Sequence, residues 1–477
     1  MPSARTVRRV LVLSVVAAAV VVSPGSRSGA GAQPAALAPH QQLLREIYQE
    51  LIEINTTNSV GDNTKAAEAM ARRLLNAGFP AADVQVLAPA PRKGNMVARL
   101  RGTGARRPLL LLAHLDVVEA NREDWSVDPF KLLEQDGYFY GRGTTDDKAM
   151  AAAFVANLIR YRQEGFVPDR DLIVALTADE EGGGHNGVAW LLKEHRALID
   201  AELALNEGGG GSLKNGRRVS NSIQASEKIF QTYRLEVTNR GGHSSLPVKD
   251  NAIWHLAGGL ARLAEFDFPV NLDDVNRQYF ERSAALIGGS LGDDFRAVAN
   301  GNRDPAVVAR VAAVGPVFNS RLRTTCVPTR LEGGHADNAL PQTARAVVNC
   351  RVLPGETEED VRQTLIRVLA NDPIKVTPVN KFFPSPASPL TAEIMGAVER
   401  VTQALWPGVP VIPTMSTGAT DSRYLRTAGI PAYGTSGMFG DIDDIRAHGR
   451  DERMLVQSLY EGQEYLYRLV KLLSSRP

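Results

Sequence analysis

The chain has 477 residues, of which 44% are hydrophobic and 22% charged, an ordinary composition for a globular protein. The net charge of +1, with lysines and arginines scattered beyond the N-terminus, provides no overall field to attract nucleic acid or an anionic membrane. Because chains longer than ~250–300 residues usually divide, we expect more than one domain.

The first 32 residues have the pattern of a secretory signal peptide. Arginines within residues 5–9 precede an apolar stretch over 10–22, and Ala30-Gly31-Ala32 is a small-residue cleavage site. The apolar stretch is shorter than the ~20 residues that a membrane-spanning helix needs, although an uncleaved anchor is the alternative. We therefore expect a secreted or periplasmic protein whose mature chain starts near Gln33.

Helix and strand patterns alternate after this leader. Apolar spacing predicts helices over four segments, 41–54, 64–77, 148–164 and 187–197. Strand patterns occupy five others, 84–87, 95–100, 108–113, 171–177 and 202–206. This alternation predicts an α/β fold with a mostly parallel sheet and helices on both faces.

The pattern changes near residue 220. Strand, helix, two strands, helix and strand follow at 231–238, 251–265, 327–332, 344–352, 357–370 and 374–379. That is the order of a ferredoxin-like α+β unit, although a long segment over 270–320 shows little pattern. A helix over 391–405 then resumes the first type. We predict a catalytic domain over 33–222 and 383–477, interrupted by an inserted lid or dimerisation domain over 223–382.

The two cysteines, Cys326 and Cys350, lie in strand-like segments on either side of a loop. A disulfide across this hairpin would suit an exported protein, and two buried free thiols are the alternative. Neither cysteine belongs to a CxxC pattern, which argues against cysteine-based metal binding or redox catalysis.

Histidines and acids cluster at five places, most of them directly after an apolar run. The clusters are His114-Leu115-Asp116, GRGTTDDK at 141–148, Asp179-Glu180-Glu181, Asn206-Glu207-Gly208-Gly209 and His448-Gly449-Arg450-Asp451-Glu452. Ligands of open α/β sheets bind outside the carboxyl ends of the strands, so these side chains would converge. Histidines and carboxylates without cysteine, with more acids than a single zinc needs, indicate a two-metal centre.

Spacing within the clusters suggests separate roles. His114 and Asp116 are two residues apart, so they face one side of a continuing strand, where a carboxylate commonly orients a ligating imidazole. Glu180 and Glu181 point in opposite directions in extended backbone, so one can bind metal while the other reaches a water. Each cluster alone is a weak signal, since such runs are more often solvated turns.

Together the motifs resemble the co-catalytic zinc exopeptidase and amidohydrolase family of glutamate carboxypeptidase, aminoacylase, carnosinase and carboxypeptidase S. The resemblance covers nearly the whole mature chain, through the ordered runs HLD, WSVDPF, GRGTTDDK, DEEGGGHNG, NEGG, GGHSS, LEGGHADNALP, ATDSRY and HGRDER. It implies two Zn²⁺ ions, with Co²⁺ or Mn²⁺ as possible substitutes. Two ligand sets would share Asp146: His114, Asp146 and Glu207, and Asp146, Glu181 and His448.

The resemblance also implies roles outside the ligand sets. Glu180 would be the general base, Asp116 would support His114, and His243 of the lid would stabilise the oxyanion. Asn338 and Arg423 would contact the substrate. The peptide bond after Asp146 is often cis in similar proteins. Asn206 stands where several relatives carry aspartate, so Glu207 is assigned as the ligand at that position.

The activity that the resemblance implies is hydrolysis of an amide bond by a metal-activated water. The expected substrate is a small peptide, cleaved as by a carboxypeptidase or dipeptidase. An N-acyl amino acid hydrolase or synthase is the enzymatic alternative, and an inactive binding homologue is the non-enzymatic one. We expect neither nucleic acid nor a membrane as partner, and a possible homodimer formed through the lid domain.

Overall fold

The structure is a computed structural model, and it describes residues 36–475. The predicted signal peptide and its cleavage site lie outside these residues. Within residues 36–475, none of the helices combines the length and apolarity that crossing a membrane requires.

The first part of the chain alternates between helices and strands, as predicted. Its helices are α1 (Pro39–Glu53), α2 (Asn63–Asn76), α3 (Lys148–Gln163), α4 (Gly187–Glu194) and α5 (Arg196–Ile199). Its strands are β1 (Val84–Leu87), β2 (Asn95–Leu100), β3 (Leu109–His114), β4 (Leu133–Gln135), β5 (Tyr138–Tyr140), β6 (Leu172–Thr177), β7 (Leu203–Asn206), β8 (Gly211–Lys214) and β9 (Arg217–Glu227).

The middle part contains a second group of strands and six helices. The strands are β10 (Ile229–Thr238), β11 (Gly242–His243), β12 (Thr325–Gly333), β13 (Ala339–Leu340), β14 (Thr343–Val352) and β15 (Lys375–Pro378). The helices are α6 (Ala252–Ala264), α7 (Asp274–Ile287), α8 (Gly289–Ala299), α9 (Pro305–Ala313), α10 (Pro316–Leu322) and α11 (Glu358–Leu369).

The last part returns to the first type of structure. It contains α12 (Ala392–Leu405), β16 (Val411–Ser416), α13 (Ser422–Thr427), β17 (Ala432–Gly434), β18 (Phe439–Asp441), β19 (Arg453–Leu455) and α14 (Val456–Leu473).

A ten-stranded sheet joins the first and last parts of the chain. Its order is β1-β2-β6-β3-β7-β17-β9-β8-β18, and β16 pairs with β9 in parallel. The central pairs β3–β6, β3–β7 and β7–β17 are all parallel. This arrangement confirms the predicted α/β class with a mostly parallel sheet.

Strand β3 explains why the centre of this sheet is apolar throughout. Leu109 and Leu111 pack into the core that includes α3, whereas Leu110 and Leu112 pack into a second core with α4 and α13. Helices therefore cover both faces, and every residue of the strand is buried. Because β3, β6 and β7 are parallel, the residues that follow them emerge at one edge of the sheet.

A four-stranded antiparallel sheet, in the order β12-β14-β10-β15, forms from the middle part of the chain. Helices α6 and α11 pack against one face, and together they give the ferredoxin-like order that the sequence predicted. Cys326 and Cys350 are paired in register on β12 and β14 and form a disulfide. Of the two alternatives for these cysteines, the structure contains the bridge.

The segment over 270–320, which the sequence left without elements, folds into the four helices α7–α10. They enclose a small core of their own, which includes Phe280, Phe295, Val311 and Leu322. Helix α7 also packs against β16 of the large sheet. These helices are short, and Gly288 separates α7 from α8, which begins at Gly289, so no long periodic pattern indicates them.

Candidate metal centre

The carboxyl ends of the central strands bring the predicted ligands together. His114 is the last residue of β3, and Glu207 directly follows β7. Glu181 lies in the loop after β6, and Asp146 lies just before α3. His448 reaches the same place from the segment between β18 and β19. Five side chains that are distant in sequence therefore meet at one edge of the sheet.

Their ligand atoms form two groups that share Asp146. The atoms of His114, Asp146 and Glu207 lie within 4.8 Å of one another, as do those of Asp146, Glu181 and His448. His114 Nε2 is 2.9 Å from Asp146 Oδ1, and His448 Nε2 is 3.0 Å from Asp146 Oδ2. Each oxygen of the Asp146 carboxylate thus faces a different histidine, which is the arrangement a bridging ligand requires. The Asp146–Asp147 peptide is cis.

Asp116 contacts both ligand-bearing loops. Its backbone oxygen is 2.9 Å from His114 Nδ1, whereas its carboxylate oxygen Oδ1 lies 3.7 Å from that nitrogen. The carboxylate instead accepts hydrogen bonds from the backbone N–H groups of Glu180 and Glu181, at 3.1 and 2.9 Å. Asp116 orients the imidazole through its backbone and the two glutamates through its side chain.

Glycine allows Glu207 to occupy its position between two strands. A Cβ on Gly209 would come within 2.2 Å of the Gly434 oxygen, and one on Gly434 within 2.1 Å of the Glu207 oxygen. The NEGG run therefore permits β7 and β17 to approach closely at their ends. Glu207 follows β7 at this close approach, and its ligand oxygen lies near His114.

The electrostatics of the centre show an excess of acid. The Asp146 and Glu181 carboxylates beside its imidazole raise the pKa of His448 to about 10. Burial opposes protonation of His114, yet its hydrogen bond to Asp146 raises the pKa well above the ordinary value. Burial also raises the pKa of Glu207. The raised pKa values favour bound protons, which offset negative charge as a bound cation would, since the centre has more carboxylates than histidines.

The donor set fits two divalent cations. Each group supplies one imidazole nitrogen and two carboxylates, and carboxylate and imidazole ligands without thiolate suit catalytic zinc sites. Glu181 Oε1 is buried and accepts no hydrogen bond of good geometry. A ligand oxygen without such a partner is costly to bury unless something positive coordinates it.

Glu180 lies beside these groups without belonging to either of them. Burial raises its pKa to about 9, and the nearby Asp421 and Glu181 carboxylates act in the same direction. Two dications at the centre would favour the ionised form of Glu180. A carboxylate next to the ligands whose protonation depends on the nearby charge is suited to exchanging a proton with a water.

His243 and Asn338 lie elsewhere, on a small ribbon formed by β11 and β13. Gly242 and His243 pair with Leu340 and Ala339, and Ser244 N donates to Asn338 O at 3.0 Å. Both residues are exposed, and His243 Nδ1 is 2.7 Å from Ser245 Oγ. The structure brings these two residues close to each other. Among the described residues, no hydrogen bond or ion pair links either side chain to the ligand groups.

Arg423 lines two cavities, of about 580 and 190 Å³, neither of which the metal ligands line. Its guanidinium lies 4.6 Å from the Tyr424 ring centroid, and its Nη2 donates to the Tyr424 hydroxyl at 2.8 Å. The larger of these cavities also contains Gly183, Gly184 and His185, which follow Glu181 in the chain. The predicted substrate arginine thus lines different cavities from the predicted ligands Asp146 and Glu207.

Several buried polar residues at the centre had no role predicted from the sequence. Asp421 is buried, which raises its pKa to about 6, and it accepts a 2.6 Å hydrogen bond from Asn186. Lys93 and Asp179 form an ion pair at 2.5 Å that holds the loop after β6. Glu452 is fully buried beside Asp146. The sequence feature that could have pointed to Asp421 and Glu452 is their position in the ATDSRY and HGRDER runs.

A cavity of about 410 Å³ opens on the candidate ligands Asp146 and Glu207. Much of its wall is apolar, formed by Tyr138, Met150, Met438, Phe439, Ile442, Ile445, Met454 and Leu455. Ile445 stands 80% exposed, and Ile442 is also exposed. A substrate bond at the centre therefore has an apolar compartment beside it.

Residues 110–472 match the model of peptidase family M20/M25/M40. The chain belongs to this family. N-fatty-acyl-amino acid synthase/hydrolase PM20D1 from Homo sapiens is 28% identical, over 76% of this chain and 74% of the relative. Probable carboxypeptidase S-like 2 from Dictyostelium discoideum is also 28% identical, over 76% of this chain and 71% of the relative.

A solved structure shares the fold. The M20 family metallo-carboxypeptidase Sso-CP2 from Sulfolobus solfataricus matches with a TM-score of 0.65 and 17% identity, covering 92% of this chain and all of that one. Membership of the M20 family makes this protein a metal-binding hydrolase of amide bonds.

Proposed function

We propose that this M20 hydrolase acts on N-acyl amino acids, cleaving or forming the amide between an apolar acyl group and an amino acid. The observation that carries the proposal is the 410 Å³ cavity, which combines an apolar wall with the ligands Asp146 and Glu207. The printed name of the human relative, an N-fatty-acyl-amino acid synthase/hydrolase, supports the same substrate class.

The arginines that line this cavity are held within its wall. Arg446 and Arg453 both line it, and both donate to the carboxylate of Asp444, at 2.7 Å and 2.6 Å. The single Asp444 carboxylate thus engages both guanidinium groups within the wall and offsets one of their two positive charges. An aliphatic chain would be stabilised by roughly 25 cal/mol for each Å² of apolar surface that it buries there.

The mechanism assigns one proton-transfer group and one orienting group at the centre. Two zinc ions, held by the ligand groups that share Asp146, would lower the pKa of a water and polarise the scissile carbonyl. Glu180 takes a proton from that water and delivers it to the leaving amine. The Asp116 carboxylate keeps Glu180 in place by accepting a hydrogen bond from the Glu180 backbone N–H. His243 stabilises the oxyanion as a hydrogen-bond donor.

Arg423 is proposed to recognise the carboxylate of the amino acid. One of its cavities is also lined by Gly183 and Gly184, which closely follow Glu180 and Glu181 in the chain. An N-acyl amino acid has an apolar end and an anionic end on either side of its amide. A guanidinium is well suited to a carboxylate because it offers two parallel donors.

The test compares acyl chain lengths. Ile445→Asp places a charge at the exposed mouth of the acyl cavity, and Val167→Asp is the matched control, since Val167 is 66% exposed in the loop before β6, at the opposite edge of the sheet. The kcat/KM for N-dodecanoyl-phenylalanine should fall ~10-fold or more in Ile445→Asp, with N-acetyl-phenylalanine within about 2-fold. Equal losses for both substrates, or a wild type that prefers the acetyl compound, would refute the acyl assignment.

A carboxypeptidase or dipeptidase activity, the first expectation from the sequence, is the second candidate. The relative named probable carboxypeptidase S-like 2 supports it, because it matches this chain as extensively as the human protein does. Including Leu-Phe and benzyloxycarbonyl-Gly-Phe in the same panel distinguishes the two. A peptidase would give its highest kcat/KM on these peptides.

We further propose export and a homodimer. Export is supported by the leader pattern within residues 1–32. The dimer is supported by β12, which is an edge strand of the four-stranded sheet and carries the exposed side chains Val327 and Leu331. An unpaired edge of this kind is a ready surface for pairing with a second chain.

A further inference from the structure

Glu452 is fully buried at the metal centre, yet the proposed mechanism does not use it. Its Oε1 accepts hydrogen bonds from Thr145 N and Thr145 Oγ1, both at 2.7 Å, and from Asp146 N at 3.2 Å. Its Oε2 accepts from Gly143 N at 3.1 Å and from Arg142 Nη1 at 2.6 Å. One carboxylate thus gathers the backbone of the loop that ends at Asp146.

Arg142 extends this arrangement to the segment that carries His448. Its second nitrogen, Nη2, donates to Gly449 O at 2.9 Å and lies 3.4 Å from His448 O. The guanidinium also lies 5.0 Å from the centroid of the Trp125 ring. The Arg142–Glu452 pair therefore connects the two loops whose side chains, Asp146 and His448, face each other.

The two ligand groups depend on this connection to different degrees. His114 and Glu207 are held by β3 and β7 in the centre of the sheet. The His448 side chain is 53% exposed, so packing fixes it weakly, and its position depends on its backbone. The groups anchoring that backbone at the centre are the Arg142 donors.

We propose that Arg142 and Glu452 are positioning residues that set the spacing between Asp146 and His448, and thereby the affinity of the cation site formed by Asp146, Glu181 and His448. The proposal rests on the two-metal centre described above, and it adds residues that act through the ligands. A buried ion pair is weak evidence for stability as such, because desolvation offsets much of its attraction. The pair matters here for its geometry, since both oxygens of the Glu452 carboxylate accept hydrogen bonds.

The experiment measures metal binding directly. The variants are Glu452→Gln, which keeps the size but places an amide N–H₂ against a donor, and Arg142→Lys, which keeps the charge but loses the second donor arm. Arg170→Met is the control, because Arg170 is also fully buried and ion-paired, to Glu202 at 3.1 Å, but precedes β6 at the opposite edge. Metal-free protein is titrated with Co²⁺, following the visible absorption bands and the bound stoichiometry, and the thermal midpoint of each metal-free variant is recorded.

The wild type should bind two Co²⁺ ions. In Glu452→Gln and Arg142→Lys, the site formed by Asp146, Glu181 and His448 should weaken ~10–100-fold, as is typical when an outer partner of a ligand is altered. The site that contains His114 and Glu207 should weaken less, because Asp146 is the ligand that the two sites share. Excess Co²⁺ should restore kcat, with KM unaltered. Arg170→Met should lower the thermal midpoint and leave both sites intact.

Several results would overturn the proposal. Two sites of wild-type affinity in both variants would show that the pair does not position the ligands. Equal weakening of both sites, or an equal effect of Arg170→Met, would show general destabilisation. If Glu452→Gln does not fold, Arg142→Lys decides. A wild type that binds one ion would refute the two-metal centre as well, whereas two bound ions without N-acyl amino acid hydrolysis would refute the proposed substrate alone.

Discussion

The predicted catalytic residues lie in two regions that differ sharply in how they are held. At the edge of the large sheet, His114 is buried and its partners occupy both ring nitrogens. On the β11–β13 ribbon, His243 and Asn338 are exposed, and the ribbon consists of two short strands. The fold therefore holds the candidate ligand His114 in place, whereas the roles proposed for His243 and Asn338 require a substrate or another chain to bring the ribbon to the reaction. Mutations in the two regions should differ accordingly.

Metal removal should have the largest effect, because it affects the sheet-edge region as a whole. Dialysis against a chelator should reduce kcat at least ~1000-fold, since the cations supply several kcal/mol of transition-state stabilisation. Adding Zn²⁺ or Co²⁺ should restore the rate. The measurement is hydrolysis of an N-acyl amino acid before and after dialysis, with bound metal quantified in parallel. Activity that persists in protein shown to be metal-free would contradict the two-metal mechanism.

Glu180→Gln should have the next largest effect and should separate the base from the ligands. We expect kcat to fall ~10²–10⁴-fold because proton transfer is lost. Two ions should remain bound, since Glu180 belongs to neither ligand group. Glu181→Gln is the matched comparison at the adjacent position, and it should lose an ion. A binding homologue without catalysis would show no change in ligand affinity on Glu180→Gln and no turnover in the wild type.

His243→Ala tests the ribbon. If the ribbon reaches the reaction, kcat should fall ~10²–10³-fold, as for loss of one oxyanion donor, while metal stoichiometry stays unchanged. Asn338→Ala on the same ribbon should lower kcat/KM by a smaller factor, because it is proposed to contact the substrate and not the oxyanion. A change of less than about 3-fold in both variants would assign the ribbon no part in the reaction.

The sequence predicts the sheet-edge region well because its signals are local. The buried run Leu109–Ala113 leads directly into His114, and the strand over 172–177 leads into the Glu180–Glu181 pair. Parallel strands then bring these ends to one edge by geometry alone. The four-stranded sheet was also predictable, because Ile229–Thr238 and Thr343–Val352 alternate between buried and exposed residues.

Other features depend on contacts that no local pattern encodes. Glu452 lies among charged neighbours in HGRDER, and nothing in that run distinguishes a fully buried acid from a surface one. Arg423 follows a recognisable motif, yet its side chain turns to Tyr424 and a separate cavity. The helices α7–α10 form a core whose members are spread over about forty residues, from Phe280 to Leu322, so each short helix looks unremarkable alone.

Removing the disulfide should have the smallest effect on catalysis and so sharpen the contrast between the regions. Cys326 and Cys350 are 24 residues apart, and the chain between them contains Asn338 and β13. The bridge thus closes the base of the segment that pairs with His243. Cys326→Ser/Cys350→Ser should lower the free energy of unfolding by about 3 kcal/mol, because the unfolded chain regains the entropy of that loop.

Urea unfolding, with turnover and metal content measured on the same samples, checks this prediction. Turnover should stay within about 3-fold of the wild type at temperatures where the variant is folded, because β11–β13 and β12–β14 pairing persist without the bridge. Metal content should not change, since the ligands lie on the other sheet. If turnover falls as far as in His243→Ala while both ions remain bound, the ribbon is positioned by the disulfide-closed segment. The ribbon would then be held as firmly as the metal ligands are, and the contrast between the two regions would be one of exposure alone.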